Sequence, residues 1–386
     1  MSAGTAVTTA LRARVIEDAA ELAGHAAAWD ALVDATSKPF CVSGWLLSWW
    51  ANACPAGARL AVVLVEDASG ALAGLAPYFL QRAATGLWRW RPLAAGACER
   101  VEPLALPGAE RAVAAAVAAA LAAHTPRPDM LTFEGIPDGS PWPGLLAAAW
   151  PGGARGRTTG GATALTLELA DTDFDGWFMS KSKHFRQRLR RQNREATEQG
   201  GVFRLADAES AGRDVEAFLR VHVDRWADRG GSGGVGPAVA AMLRGAGPDL
   251  VAAGRLRIWS LDLGGETIAS SLVFCAGQEL GYWLNGFARE HACLEPSKIS
   301  ILRVIEDAFA LGADRLDLGE GVYEYKQRFA GGEEALRWET LIPPAGRRRP
   351  LVEAALAPGL ARRFAAARVP VETRRKLNAL VRREAR

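Results

Sequence analysis

Residues Arg255–Cys275 read RLRIWSLDLGGETIASSLVFC, and residues Arg59–Leu80 read RLAVVLVEDASGALAGLAPYFL. Each is a β-rich run, a turn and a second run carrying small residues. The turns, Gly264-Gly265 in one and Asp67–Gly70 in the other, are built of Gly, Asp and Ser, which between β-branched runs predicts hairpins. A Trp-bearing helix precedes each hairpin, around Trp45–Trp50 in one case and Val215–Trp226 in the other. After each comes a helix and then a short strand. These are Ala112–Ala123 with DMLTFEGI (129–136), and Ser297–Leu311 with DRLDLGEG (314–321). One order written twice predicts two copies of a helix–hairpin–helix–strand unit, at 1–155 and 162–344. Pro151–Ala162 holds five glycines and no hydrophobic period, and reads as the linker. Strands and helices interleaved in this way predict an α/β protein, with mixed sheets flanked by helices.

A chain of 386 residues, half of them hydrophobic, fits two packed domains. The net charge of +3 argues against a dedicated nucleic-acid binder. The charge is uneven: residues 345–386 hold twelve Arg and Lys against Glu353, Glu372 and Glu384, which leaves the body mildly acidic. This basic helical tail suits either plain solvation or weak contact with an anionic membrane. Five cysteines without a C-x-x-C pair predict neither a disulfide framework nor a structural zinc. The five histidines form no ligand set, so no metal is expected. The apolar run Ala112–Ala123 is short of the ~20 residues that span a bilayer. With no signal-peptide pattern at its start, the chain is expected to be cytoplasmic.

Seven Lys and Arg fall between Lys181 and Arg194, on a helix expected from about Ser182 to Gln199. Phe185, Leu189 and Ala196 recur on one face and should dock it, with Gly200-Gly201 closing its end. The run lacks interleaved aromatics, so a phosphate-bearing ligand or a solvated face suits it better than nucleic acid.

Four segments together resemble a known family: FRQRLRRQNREATEQGG, FLRVHVDRW, GETIASSLVF and LDLGEGVYEYKQRFA. They are similar to the CelD-like branch of the GNAT acyltransferases, which is associated with cellulose and exopolysaccharide biosynthesis. That branch is related in architecture to the Fem-type transferases, which also pair two GNAT-like halves. The most specific element is D-x-G-x-G-x-x-x-Y-K-x-x-F, from Asp317 through Gly319, Gly321, Tyr325 and Lys326 to Phe329. The resemblance implies tandem GNAT-like (acyl-CoA N-acyltransferase) domains, the N-terminal one structural and the C-terminal one catalytic. It implies transfer of an acyl group from acyl-CoA, as co-substrate, to an amine or hydroxyl. The acceptor would be a small molecule or a glycan or lipid precursor, in exopolysaccharide or envelope biosynthesis. A Fem-type aminoacyl-tRNA donor is the first alternative, and a non-catalytic basic scaffold for membrane or nucleic acid is the second. One departure stands out. The GNAT diphosphate loop, Q/R-x-x-G-x-G/A, is absent, and Pro296-Ser297-Lys298 opens the helix instead.

Each candidate residue has a chemical reason and a plainer alternative. Ser297 and Lys298 open a helix whose free N–H groups suit phosphate, although Ser297 could simply be the N-cap. In RLDLGEG, alternation puts Leu316 and Leu318 on one side and Asp317 on the other, with Glu320 just past the strand end. Either Glu320 or Asp317 could take a proton from an amine nucleophile. Either could equally serve in a turn or an ion pair. Tyr323 could protonate a departing thiolate, and Lys326 could hold a phosphate or an acidic acceptor. His222 and Arg225, which match the family's motif, and Asn285 are substrate-pocket candidates, although each could be a buried structural group. Arg186 and Arg190, four apart on one face, are the pair expected to hold the donor's phosphate, with Lys181, Lys183 and Arg194 solvated.

Overall fold

The computed structural model describes residues 11–227, 231–232, 234–344 and 348–357. The N-terminal half begins with β1 (Arg12–Ile16), α1 (Ala19–Ala23), α2 (Ala26–Thr36) and α3 (Ser43–Ala53). Its hairpin is β2 (Arg59–Leu60), β3 (Val62–Glu66), β4 (Leu72–Ala76) and β5 (Tyr78–Arg82). Asp67 sets the turn by accepting the N–H of Ser69 and of Ala71. There follow β6 (Trp88–Pro92), β7 (Leu104–Ala105), α4 (Glu110–Ala123), β8 (Met130–Pro137) and α5 (Trp142–Ala149).

The C-terminal half starts with β9 (Arg155–Glu168), α6 (Phe174–Ser180), α7 (Lys183–Glu198) and β10 (Val202–Leu205). Helices α8 (Ala211–Trp226) and α9 (Pro237–Ala252) lead into the second hairpin, β11 (Leu256–Leu263) and β12 (Glu266–Ala276). Its turn residues Gly264 and Gly265 both take positive φ, as a two-residue hairpin loop requires. Then come β13 (Glu279–Phe287), α10 (Pro296–Ala310), β14 (Arg315–Glu320), α11 (Glu324–Gln327) and β15 (Gly332–Ile342).

Both predicted hairpins form, and in each half a helix crosses between parallel strands: α4 between β6 and β8, and α10 between β13 and β14. The two halves are not strung on a linker, however. Eleven strands form one sheet in the order β10-β11-β12-β13-β14-β9-β15-β8-β6-β5-β2, beside a smaller sheet β1-β3-β4-β7. Residues 151–162, expected as a linker, run into β9, which pairs with β14 on one side and β15 on the other. Of the glycines there, Gly156 is the closely packed one: a Cβ on it would lie 2.5 Å from Glu339 Oε1, while one on Gly160 would make only ordinary contact with Trp338.

The core also crosses the seam. Trp45 of α3 lies 4.9 Å from Phe274 and 4.8 Å from Trp283, ring centre to ring centre, both in the C-terminal half. Most of the basic tail lies outside the described residues. Residues 348–357 are helical, with Val352 and Leu356 buried beside Leu87, Met130 and Ile342.

Candidate active site

Strands β13 and β14 pair over Glu279–Gly281 and Arg315–Asp317, and there the pairing ends. Beyond it the strands part around a cavity of about 500 Å³, lined entirely from the C-terminal half. A larger groove, of about 810 Å³, lies between Ala119, Ala122 and Pro126 of the N-terminal half and Pro343 and Arg348, which follow β15 in the chain. Two of its charged groups, Asp129 and Arg348, pair with each other at 2.9 Å. The smaller cavity gathers the convergent polar groups that mark a site.

Glu320, the last residue of β14, is exposed at the cavity wall. Gly319 and Gly321 on either side take φ of +81° and +97°, so the backbone turns sharply around it. Asp317 does not share this position. It is wholly buried in the strand, 2.6 Å from Arg100 Nε, and accepts the N–H of Gly319 at 2.8 Å. Burial pushes its carboxyl up, and Arg100 opposes that shift. The predicted alternation holds, with Leu316 and Leu318 in the apolar core and Asp317 turned to Arg100, but β14 is a central strand and both of its faces are buried. Of the two candidate bases, Glu320 alone lines the cavity.

Lys326 is buried at the cavity floor and donates to Leu318 O at 2.7 Å. Its Nζ lies 5.5 Å from the Tyr282 ring centre and 5.7 Å from that of Tyr323. Burial brings its pKa down to about 8, against the pull of Asp317 and Glu320. Tyr323 is half exposed at the rim, as a group meeting incoming ligand would be.

From α8, His222 is buried with Nδ1 2.9 Å from Asn285 O and Nε2 2.8 Å from Ser232 Oγ. Desolvation lowers its pKa to about 4, so the ring is neutral at pH 7. Arg225 donates to the Asn285 side-chain oxygen and lies over the Phe287 ring, 5.1 Å from its centre. That leaves the Asn285 Nδ2 amide, buried at the cavity, without a partner.

The start of α10 differs from expectation. Glu295, in the left-handed region at φ +49°, is the cap residue, with Pro296 first in the helix and Ser297 one place inside. Ser297 is therefore not the cap, and its buried Oγ has no partner. The Glu295 carboxylate is held by Lys298 and by Arg188, whose Nη2 is 2.8 Å away. Burial alone would raise the Glu295 carboxyl; the hydrogen bonds from Lys298 and Arg188 outweigh it and hold it below its usual range.

Arg188 is the basic-helix residue that the sequence did not single out. The stripe of α7 docks as predicted, with Phe185, Leu189 and Ala196 buried. Arg186, though, donates to Met179 O and Lys181 O at the end of α6, and Arg190 lies over the Phe178 ring. Neither lines the cavity, so the expected phosphate pair is not assembled there. Lys181 is not simply solvated either: it donates to Phe329 O and Ala330 O, both at 3.2 Å.

Residues 183–327 match the model of the acetyltransferase (GNAT) domain, and every residue lining the cavity falls within them. Over the whole chain, FemX superposes with a TM-score of 0.60 at 12% identity, covering 89% of this chain and 100% of its own. The fold is a GNAT domain preceded by a half that repeats its element order, with mixed sheets flanked by helices. The C-terminal domain (DUF2156) of a putative lysylphosphatidylglycerol synthetase from Agrobacterium fabrum also superposes, with a TM-score of 0.54. Its identity is 12%, over 88% of this chain and 97% of that one. No curated protein matches the chain. The GNAT match supports a transferase. Among the described residues no group of three or more His, Cys, Asp or Glu could hold a metal, and no helix is long and apolar enough to cross a membrane.

Proposed function

We propose that this protein transfers an acyl group from a thioester donor to an amine or hydroxyl acceptor, an amine in preference, in the cleft between β13 and β14. The observation that carries this reading is the meeting of an exposed Glu320 with a buried Lys326 where two parallel GNAT strands part. Glu320 accepts the acceptor's proton, and held reactants need no covalent enzyme intermediate. Lys326 and the unpartnered Asn285 amide donate toward the oxygen of the acyl carbonyl as charge develops there. Neutral His222 and Arg225 hold Asn285 in place. Tyr323 at the rim meets the departing sulfur.

The proposed donor is acyl-CoA. The cleft's orphaned Asn285 amide and Ser297 hydroxyl suit the amide-bearing arm of such a thioester. They do not extend to its diphosphate, because the nearby cations Lys298 and Arg188 are already taken up by Glu295. A small-molecule acceptor, or a glycan or lipid precursor of the kind handled in exopolysaccharide or envelope biosynthesis, met in the cytoplasm, completes the proposal. In it the catalytic unit is 162–344 and 1–155 is its structural partner.

The engagement of Lys298 and Arg188 by Glu295, with the likeness to FemX, favours an aminoacyl-tRNA donor as the second reading. Native mass spectrometry of the purified protein, followed by thiol release from acetyl-CoA with a primary-amine acceptor, separates them. A retained CoA thioester and thiol release abolished in Glu320→Gln support the first. Turnover that requires charged tRNA supports the second.

A further inference from the structure

In the sheet the two halves meet where β15 pairs with β8, and one arginine of the N-terminal half reaches past that seam to the strand that carries Glu320. Arg100 lies between β6 and β7, is 8% exposed and takes φ of +69°. Its Nε is 2.6 Å from Asp317 Oδ2 in β14, and its Nη1 is 2.7 Å from Glu334 Oε2 in β15. Asp317 passes the contact on, since its other oxygen accepts the Gly319 N–H at 2.8 Å. On the same tripeptide, Leu318 O accepts from Lys326 at 2.7 Å. The chain Arg100–Asp317–Gly319 thus ends at the turn that presents Glu320, and Leu318 ties that turn to Lys326.

We propose that Arg100, supplied by the N-terminal half, is a positioning residue for the cleft: through Asp317 it fixes the Gly319–Gly321 turn, and with it Glu320 and the seat of Lys326. The inference rests on the reading of the cleft given above. Two further contacts fix the same loop. Ala97 O accepts the indole N–H of Trp283 at 3.2 Å, which pins the loop to β13 as Arg100 pins it to β14. Glu99 packs beside Gly135, where a Cβ would come within 2.5 Å of its side chain. Burial, then the charge of Glu320, pushes the Glu99 carboxyl up. The guanidinium reaches carboxylates on two strands from separate nitrogens, a hydrogen bond to Glu334 and an ion pair to Asp317, whereas a lysine ammonium has one nitrogen to divide between them.

The test uses the full chain and needs no acyl transfer. Hydrogen exchange reads the turn, and NMR of ¹³C-labelled lysine reads Lys326. In the wild type the Gly319 amide should exchange as slowly as its neighbours in β14, and Lys326 should titrate at about 8. The groups that set this value are burial and Arg225, which lower it, and Asp317 and Glu320, which raise it. Arg100→Lys should speed exchange at Gly319–Gly321 at least tenfold while sparing Leu316. It should also move Lys326 toward an ordinary lysine value as the ammonium leaves its seat. Unchanged exchange and titration in Arg100→Lys overturn the proposal and reduce Arg100 to a counter-charge. A wild-type Gly319 amide that exchanges like an open loop overturns it without any variant, which covers a variant that fails to fold. Where acyl transfer is measured, Arg100→Lys should lower kcat at least tenfold and leave KM unchanged. A protein with no acyl transfer at all refutes the reading of the cleft and not the positioning, which exchange and titration decide.

Discussion

Glu320 and Asp317, three residues apart, have opposite exposures, so their amide variants should fail in different ways. Glu320→Gln should lower kcat by about 10²–10⁴-fold with an unchanged melting temperature, the usual cost of losing a positioned base. Asp317→Asn should leave Arg100 buried with a weakened partner and cost stability, up to about 3–5 kcal/mol if the pair is broken outright. Paired thermal melts and rate measurements separate the two outcomes. His222 adds a pH signature. Its folded pKa of about 4 lies below the unfolded value, so above pH 6.5 both states are neutral and the group contributes no pH dependence. As pH falls from 6.5 toward 4, only the unfolded state takes up the proton, and stability is lost. His222→Gln should flatten that part of a melting-temperature profile. The neighbourhood of Glu320 was legible in the sequence because a strand end flanked by glycines is a local pattern. Arg100 was not legible, because its partner Asp317 comes from the other half and nothing in its own neighbourhood announces a buried carboxylate.

Among the elements, α7 shows how helical spacing can identify a docking face and still misassign the cations around it. The stripe of Phe185 and Leu189 follows from period alone, but which arginine meets Glu295 at the cavity wall depends on where α6 and α10 lie. Arg186→Ala should therefore lower the melting temperature through two lost carbonyl contacts, about 1 kcal/mol each, and leave substrate KM unchanged. Arg188→Ala should instead release Glu295 and change donor KM with little change in melting temperature, as the half-exposed pair suggests. Steady-state kinetics beside thermal melts would check both. Strand β9 escaped the sequence for the opposite reason: its glycines read as a linker, yet one of them, Gly156, lets Glu339 come to where a Cβ would be 2.5 Å away. Helix α9 is similar, since a Cβ on Gly247 would lie 2.7 Å from Val215. Where β13 meets α8 the fit is tighter still. Gly286→Ala would place a Cβ 2.5 Å from the His222 backbone nitrogen and must push α8 away. A loss of about 1–3 kcal/mol in chemical denaturation is expected, the usual cost of overpacking.

At the scale of the molecule, the repeat was legible because each half spells out its own hairpin and crossover helix. Their fusion was not, because pairing between distant strands leaves no local mark. That fusion should make the protein unfold as one unit, with a single calorimetric transition whose van't Hoff and calorimetric enthalpies agree. A fragment starting at residue 162 would lose the part of β9 that faces Arg337–Ile342 and the partner of Asp317. It should be aggregated or unfolded by size-exclusion chromatography and circular dichroism, and a folded, monomeric fragment would contradict the single unit.

Strand β15 sits between β9 and β8 in the sheet but last among the strands in the chain. During synthesis, β8 therefore emerges about 200 residues before the strand that covers its edge, a wait of roughly 10–40 s at typical elongation rates. Throughout that interval the nascent N-terminal half presents an open edge of buried-type residues, Leu131 and Phe133 among them, to whatever the ribosome exit brings near. Chains stalled before residue 332 should be cut by protease near β8, and chains released past residue 342 should not. Rare codons or a bound chaperone between those points would set the yield of folded protein more strongly than any single contact in the finished cleft.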